Sequence, residues 1–225
     1  MMEHLRLYLL RHGETVDSHR HLFNGHRDVG LTDLGKSQLQ DAAKTLTGIP
    51  FDALYSSDLS RARYGGERIA EITGLPLVEL PEFREMSFGA CEGISFPELE
   101  ERYPDLAYGI MHPYTGKVVF PEGESDRDFF ARISKATDEL VKKHPKGRVI
   151  LVSHAGVGRA VLAKYLELTT SSMWAIHQDF AALHVLDIFP DGTYVIRALN
   201  AYLGQDGYSK GSPGYQGLLG ERGWY

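Results

Sequence analysis

Three short segments of the 225-residue chain place histidine or arginine beside small residues. They are Arg11-His12-Gly13, the run from Ser57 to Arg61, and the run from Ser153 to Gly156. Each comes directly after a short apolar run of the kind that forms a buried strand. Ligands of open parallel sheets bind beyond the carboxyl ends of the strands. We therefore expect His12 and His154 to meet the two arginines at one edge of a sheet.

Two arginines beside two histidines suit a phosphoryl group. A guanidinium presents a planar fork of donors that matches phosphate oxygens, and it stays charged at every working pH. Nearby cations also disfavour an imidazolium, so Arg11 and Arg61 would keep His12 neutral and able to attack. Gly13 lets the backbone bend tightly behind that ring. The set predicts a phosphate site with a histidine nucleophile.

The elements that must position these residues alternate between strand and helix. Apolar runs and capping residues predict strands at 5–10, 51–55 and 149–152, helices at 32–47, from Ser57 or Asp58 to Gly74, at 125–143 and up to Leu166, and a hairpin of 180–189 with 194–199. This alternation predicts an α/β fold, a three-layer α/β/α sandwich with a mostly parallel central sheet.

The region from residue 75 to 124 is punctuated by prolines, and only 95–103 is predicted to be helical. We predict one domain over 1–203 with a lid insertion at about 86–124, followed by a Gly/Tyr-rich tail at 204–225. The aromatic residues expected to cover the site are Phe96, Tyr103, Tyr108, Tyr114 and Phe120.

Composition and charge limit the classes of partner that we expect for this chain. A net charge of −6 gives no electrostatic footprint for nucleic acid, and no stretch approaches the roughly 20 apolar residues that cross a bilayer. Cys91 is the only cysteine, which excludes an intrachain disulfide and argues against structural zinc. We expect a cytoplasmic protein that acts on a small-molecule phosphomonoester, with no membrane or nucleic-acid partner and with a homodimer left open.

Taken singly, these residues have ordinary structural explanations. A histidine beside an arginine at a strand end is more often part of a surface loop than a catalytic pair, and only the convergence of several segments favours chemistry. His19, His21 and His26 lack a carboxylate or cysteine at recognised ligand spacing, so no metal site is predicted. The run from Gly156 to Arg159 lacks the third glycine of a dinucleotide loop.

The order of the short motifs along residues 5–165 resembles the histidine phosphatase superfamily, also called the phosphoglycerate mutase-like family. The motifs are Arg11-His12-Gly13-Glu14-Thr15, Leu31-Thr32 with Gly35, Ser57 through Ala62, Glu85 with Phe88-Gly89 and Glu92-Gly93, Gly123-Glu124-Ser125, and Val152-Ser153-His154-Ala155-Gly156. Their order is a stronger signal than any one of them.

The resemblance implies a two-step transfer with a phosphohistidine intermediate. His12 matches the nucleophile and Glu85 the proton donor, although Glu82 is a nearby rival. The residues that match phosphate ligands are Arg11, Arg61 and His154, with Asn24 as a further polar contact and with Thr15 and Ser125 as second-rank candidates. The mechanism needs no metal or organic cofactor, because the arginines supply the positive charge.

The cofactor-dependent mutases of the superfamily carry basic residues directly after the acid, whereas Glu85 is followed by Met86-Ser87-Phe88-Gly89, which favours a hydrolase. Asn24-Gly25-His26, Arg84-Glu85-Met86 and Met173-Trp174 are similar to α-ribazole phosphatases, whereas Gly123-Glu124-Ser125 is equally common in broad-specificity phosphatases. The alternatives are a phosphoglycerate mutase and a module that binds a phosphate ligand without turnover.

Overall fold

A computed structural model describes residues 2–112 and 118–203. Its centre is a six-stranded sheet in the order β3-β2-β4-β1-β5-β6. The strands are β1 (Leu5–Arg11), β2 (Ala53–Ser56), β3 (Leu77–Glu79), β4 (Gly147–Ser153), β5 (Ala182–Ile188) and β6 (Tyr194–Tyr202). The first four pair in parallel, and β5 and β6 are antiparallel, so the sheet is mostly parallel as predicted.

Six α-helices surround this sheet in the described part of the chain. They are α1 (Asp33–Thr45), α2 (Ser60–Thr73), α3 (Phe96–Arg102), α4 (Pro104–Met111), α5 (Asp126–Lys143) and α6 (Ala155–Tyr165). Two of the predicted helix starts carry a side-chain cap. Thr32 accepts a hydrogen bond from Gly35 N before α1, and Ser125 accepts one from Asp128 N before α5.

The two faces of the sheet carry separate cores, which makes the three layers. Alternate residues of a strand point to opposite faces. Leu7 and Leu9 of β1 pack in one cluster with residues of α5 and α6, and Tyr8 and Leu10 pack in the other with residues of α1 and α2. The predicted three-layer arrangement is confirmed.

Strand register brings the chemical segments together. Arg11 pairs with Ser153 across β1 and β4, and Ser56 pairs with Val152 across β2 and β4. The backbone ladder continues past these pairs, with His12 N donating to Ser153 O at 2.9 Å. The residues after β1, β2 and β4 therefore lie at the same edge, as the sequence predicts.

The start of α2 differs from the prediction. Leu59 is at the N-cap position and gives no side-chain cap. Instead, the Asp28 carboxylate accepts hydrogen bonds from Ser60 N at 2.8 Å and Ser60 Oγ at 2.7 Å. Asp28, which is 32 positions away, thus accepts from a backbone amide at the start of α2 that has no acceptor within the helix. Ser57 does not cap α2, and its hydroxyl contacts His154 in the site.

The region between α2 and α5 has more regular structure than predicted. Helix α4 follows α3 at once, because Pro104 occupies the first helical turn, where its missing N–H costs nothing. The short strand β3 was also missed. The domain prediction stays a prediction, and its tail at 204–225 lies outside the described residues. Within 2–112 and 118–203, no helix is both long and apolar enough to cross a bilayer.

Candidate active site

His12 is buried at the end of β1, with 7% of its surface exposed. Its Nδ1 lies 2.7 Å from the carbonyl oxygen of Gly13. A carbonyl only accepts, so Nδ1 must carry the proton, and the lone pair is left on Nε2. Burial, and then the charges of Arg61 and Arg11, hold the pKa of His12 well below the usual imidazole range. The ring is neutral at physiological pH.

The bend behind His12 depends on a close approach of two glycines. A Cβ on Gly13 would lie 2.1 Å from the carbonyl oxygen of Gly35 at the start of α1. Backbone atoms cannot yield at that distance. The glycine therefore fixes the loop against α1, and through it the direction of the His12 ring.

Arg61 is almost fully buried in the first turn of α2. Its terminal nitrogens donate to the carbonyl oxygens of Asn24, Gly25 and Arg27 at 3.1, 2.7 and 2.9 Å. These bonds use three of the five donors of the guanidinium, so others remain for a ligand. The same bonds fold the loop that carries Asn24 over the site.

Arg11 is held by residues of the segment that precedes β5. Its Nη1 donates to the backbone oxygen of Gln178 at 2.5 Å, and its guanidinium carbon lies 3.9 Å from the ring centre of Phe180. Burial lowers the pKa of Arg11 to about 10, which leaves it charged at neutral pH. Its Nε is buried and has no acceptor among the described residues.

His154 lies against His12, with 5.3 Å between the ring centres. Its Nε2 is 2.9 Å from Ser57 Oγ, while its buried Nδ1 has no partner in the described part of the chain. Burial and the charge of Arg61 are the leading causes that hold its pKa well below the usual range, so this ring is neutral as well.

The Glu85 carboxylate is fixed by two backbone amides. Oε2 accepts from Gly156 N at 3.0 Å, at the start of α6, and Oε1 accepts from Met86 N at 2.9 Å. A Cβ on Gly156 would come within 2.0 Å of Oε1, so this glycine is what admits the carboxylate. Glu82, the rival, lines a different hollow with Tyr55 and Lys143.

A cavity of about 320 Å³ joins these groups. Its lining residues are Arg11, His12, Thr15, Ser18, His21, Leu22, Phe23, Asn24, Arg61, Glu85, Phe88, Ala155, Arg159 and Phe180. Five of the six predicted site residues line it, and His154 reaches it through the ring contact with His12. Asn24 Oδ1 is buried without a partner among the described residues. Ser125 does not line the cavity, because its hydroxyl caps α5.

Some residues at the cavity were not predicted. Arg159 follows Ala155 by four positions in α6, and that helical spacing places both on one face. Phe180 and Gln178 precede β5, and nothing in their local sequence marks them as partners of Arg11.

A second cavity of about 270 Å³ adjoins the first and is mostly apolar. It is lined by Phe23, Phe88, Ile110, Val118, Phe120, Arg159 and Trp174. Of the predicted aromatic cover, only Phe120 is found here. Tyr103 and Tyr108 line a separate hollow, and Phe96 packs against the core. Tyr114 lies outside the described residues.

Comparison with known proteins finds a matching protein family. Residues 7–201 match the model described as histidine phosphatase superfamily (branch 1). A bifunctional protein of Mycobacterium tuberculosis is 31% identical over 206 residues, which are 90% of this chain and 54% of that protein. The chain thus spans about half the length of the curated relatives that it matches first. An adenosylcobalamin/α-ribazole phosphatase of Salmonella typhimurium is 28% identical, over 88% of this chain and 96% of that protein.

Solved structures agree on the fold. An α-ribazole phosphatase from Shigella flexneri superposes with a TM-score of 0.80 at 26% identity, covering 89% of this chain and 98% of that one. The phosphoglycerate mutase-like α/β fold predicted from the sequence is confirmed.

Proposed function

This chain belongs to the histidine phosphatase superfamily, and from that membership we propose that it hydrolyses phosphomonoesters through a phosphohistidine at His12. The observation that carries the proposal is a set of unpaired polar atoms around a neutral ring. Arg11 Nε, His154 Nδ1 and Asn24 Oδ1 are each buried without a partner among the described residues. Buried polar groups are seldom left unpaired, so a ligand that satisfies them is expected.

A phosphoryl group fits this set. In its Nδ1–H form His154 is a donor, and Arg11 Nε is always one. Turning the Asn24 amide about its terminal bond would present its nitrogen at the position of Oδ1. The three groups would then donate to non-bridging oxygens, and the charges of Arg11 and Arg61 would balance a dianion.

In the first step, Nε2 of His12 attacks phosphorus in line with the ester bond. The bond from phosphorus to the leaving oxygen breaks, and the Glu85 carboxyl gives its proton to that oxygen. Arg11 and Arg61 stabilise the charge that spreads over the non-bridging oxygens. The products of this step are an alcohol and phosphorylated His12.

In the second step, the Glu85 carboxylate takes a proton from water as the water oxygen attacks phosphorus. The bond from phosphorus to Nε2 breaks, which releases inorganic phosphate and restores neutral His12 and protonated Glu85. The same carboxyl group of Glu85 serves both steps. Its contacts with Gly156 N and Met86 N hold it in one position throughout.

The substrate that we propose within this class is α-ribazole phosphate. Its benzimidazole is an apolar aromatic group, and the cavity beside the site is lined by Phe23, Phe88, Phe120 and Trp174. The names of the Salmonella and Shigella relatives support the same choice. A panel of phosphomonoesters scored for released phosphate tests it, and equal rates across the panel would remove this assignment.

Two other functions stay open to experiment. Efficient conversion of 3-phosphoglycerate into its 2-isomer, without release of phosphate, would indicate a mutase. A module that only binds phosphate ligands would form no covalent phosphoenzyme.

Trapping of the intermediate tests the proposed function. Substrate labelled in the phosphoryl group is mixed with enzyme, and the reaction is quenched in alkali, where phosphohistidine survives. We expect label on the wild-type chain, no label on His12→Ala, and normal label on His144→Ala. His144 is a useful control because it pairs with Tyr55 at the C-terminal end of α5. Label on His12→Ala would refute the assignment of the nucleophile.

A further inference from the structure

Arg159 lies between the two cavities. It lines both of them, and among residues 2–112 and 118–203 only Phe23 and Phe88 share that position. In the apolar cavity it is the one charged residue of the described lining. A ligand that extends from the phosphate site into the apolar cavity must therefore pass its guanidinium.

The guanidinium of Arg159 is held in place, but its terminal N–H groups have no hydrogen-bond acceptor among the described residues. Its Nε donates to the backbone oxygen of Ile176 at 2.7 Å, and its carbon lies 5.5 Å from the ring centre of Trp174. No acceptor among residues 2–112 and 118–203 engages its two terminal nitrogens. An arginine that is anchored at Nε and packed near an aromatic ring presents these donors with little loss of conformational entropy.

Helix α6 places Arg159 near Glu85. Gly156 N donates to Glu85 Oε2 at 3.0 Å, and Arg159 follows Gly156 by three positions, which is close to one helical turn. In the proposed reaction Glu85 protonates the leaving oxygen, so this placement assigns Arg159 to the leaving-group side of the phosphoryl group.

We propose that Arg159 is a specificity-determining residue that binds an anionic or hydrogen-bond-accepting group on the alcohol part of the substrate, close to the ester oxygen. The apolar cavity takes an aromatic or branched apolar group of the same alcohol. This inference rests on the proposed phosphomonoesterase activity and narrows its substrate class.

The size of the apolar cavity agrees with such an alcohol. It measures about 270 Å³, and an apolar cavity of about 150 Å³ is large enough for benzene. A sugar or glycerol phosphate has no apolar group to fill it. A leaving group with an acceptor near the ester oxygen and a ring beyond it uses both features.

Two matched probes test the inference. Benzyl phosphate and phosphomandelate share a phenyl ring, and phosphomandelate adds a carboxylate on the carbon that bears the ester oxygen. The readout is the ratio of kcat/KM for phosphomandelate to kcat/KM for benzyl phosphate. This ratio is compared between the wild-type protein and each variant, so that the difference in intrinsic reactivity between the two esters cancels. A charge-assisted hydrogen bond is worth roughly a 10- to 100-fold preference.

We expect Arg159→Met to lower this ratio by roughly tenfold or more, and Arg159→Lys to lower it less. Arg63→Met is the matched control, because Arg63 is half exposed on α2 and pairs only weakly with Glu67, at 3.7 Å. Ile110→Ala tests the apolar part separately. It should reduce the preference for benzyl over methyl phosphate and leave the carboxylate ratio close to that of the wild type.

An equal loss for both probes in Arg159→Met would overturn the inference, since it would mean that Arg159 binds the phosphoryl group itself. The dissociation constants of the two probes, measured by calorimetry on His12→Ala with and without Arg159→Met, give the same ratio without turnover. If wild type fails to hydrolyse any phosphomonoester, the proposed function is wrong. The calorimetric ratio then still supports or refutes the role of Arg159.

Discussion

Asp126 is a buried carboxylate that contacts Trp174, one of the residues that line the apolar cavity. It is the first residue of α5, is 8% exposed, and accepts a hydrogen bond from the side chain of Trp174. Its Oδ1 has no partner among the described residues. Burial raises the pKa of Asp126 to about 6, from a reference value of 3.8. We predict that Asp126→Asn stabilises the protein at neutral and alkaline pH.

The sign and size follow from proton linkage. Between pH 3.8 and 6 the folded chain holds a proton at Asp126 that the unfolded chain has lost, so stability falls as pH rises through this window. Above pH 6 the full cost is present, about 3 kcal/mol at most for a shift of about 2 units. Solvent screening and the favourable interaction of a carboxylate with the helix N-terminus reduce it, and we expect a net gain of about 2 kcal/mol in the variant.

Urea unfolding at several pH values measures this. The gain in unfolding free energy of Asp126→Asn should be largest at pH 8, smaller by about 1 kcal/mol at pH 5, and nearly absent near pH 4. Asp128→Asn is the control, because Asp128 is exposed two positions later and pairs with Ser125. A gain that does not change with pH, or a loss at pH 8, would refute the reasoning.

Three shorter predictions concern other contacts. Gly156→Ala should displace the Glu85 carboxylate, whose Oε1 would lie 2.0 Å from the new Cβ, and should lower kcat by on the order of a hundredfold with an unchanged far-ultraviolet circular dichroism spectrum; a normal kcat would contradict the role of Glu85. Ser57→Ala should remove the hydrogen-bond partner of His154 Nε2 and lower kcat/KM by about tenfold, with Ser57→Thr recovering most of it; nitrogen NMR of the His154 ring should show a shifted Nε2 resonance in Ser57→Ala, and an unchanged spectrum would refute this. Asp187→Asn should cost about 3 to 5 kcal/mol of unfolding free energy, because it breaks a buried pair with Arg6 far from the site, and kcat of the folded fraction should stay within about twofold; a large fall in kcat would show that the pair acts on the site.

The sheet edge could be predicted because local signals and topology agree there. The runs before His12 and His154 are short and apolar, and the residues after them are polar and glycine-rich. Those patterns specify strand ends, and the alternation of strands with helices specifies parallel pairing. The convergence of Arg11, Arg61 and the two histidines follows from these facts alone.

Other features depend on contacts between distant segments. Asp28 caps α2 from 32 residues away, and this leaves Ser57 free to hold His154. Gln178 holds Arg11 through a backbone oxygen, which any residue type could supply. No local pattern in the chain encodes such pairs.

Proline signals were ambiguous in the region between α2 and α5. Pro104 is one of the prolines that punctuate this region, but it lies in the first turn of α4, where a proline is compatible with the start of a helix. The apolar cavity beside Arg159 could not be predicted without α4, because that helix carries Ile110.

The central claim is that His12 attacks through Nε2, since Nδ1 donates to the Gly13 carbonyl oxygen at 2.7 Å. Phosphorus NMR of the alkali-quenched protein, followed by peptide mass spectrometry, identifies the modified nitrogen and the modified residue. We predict a single phosphoryl group on Nε2 of His12. A phosphoryl group on Nδ1, or on a residue other than His12, would contradict the account.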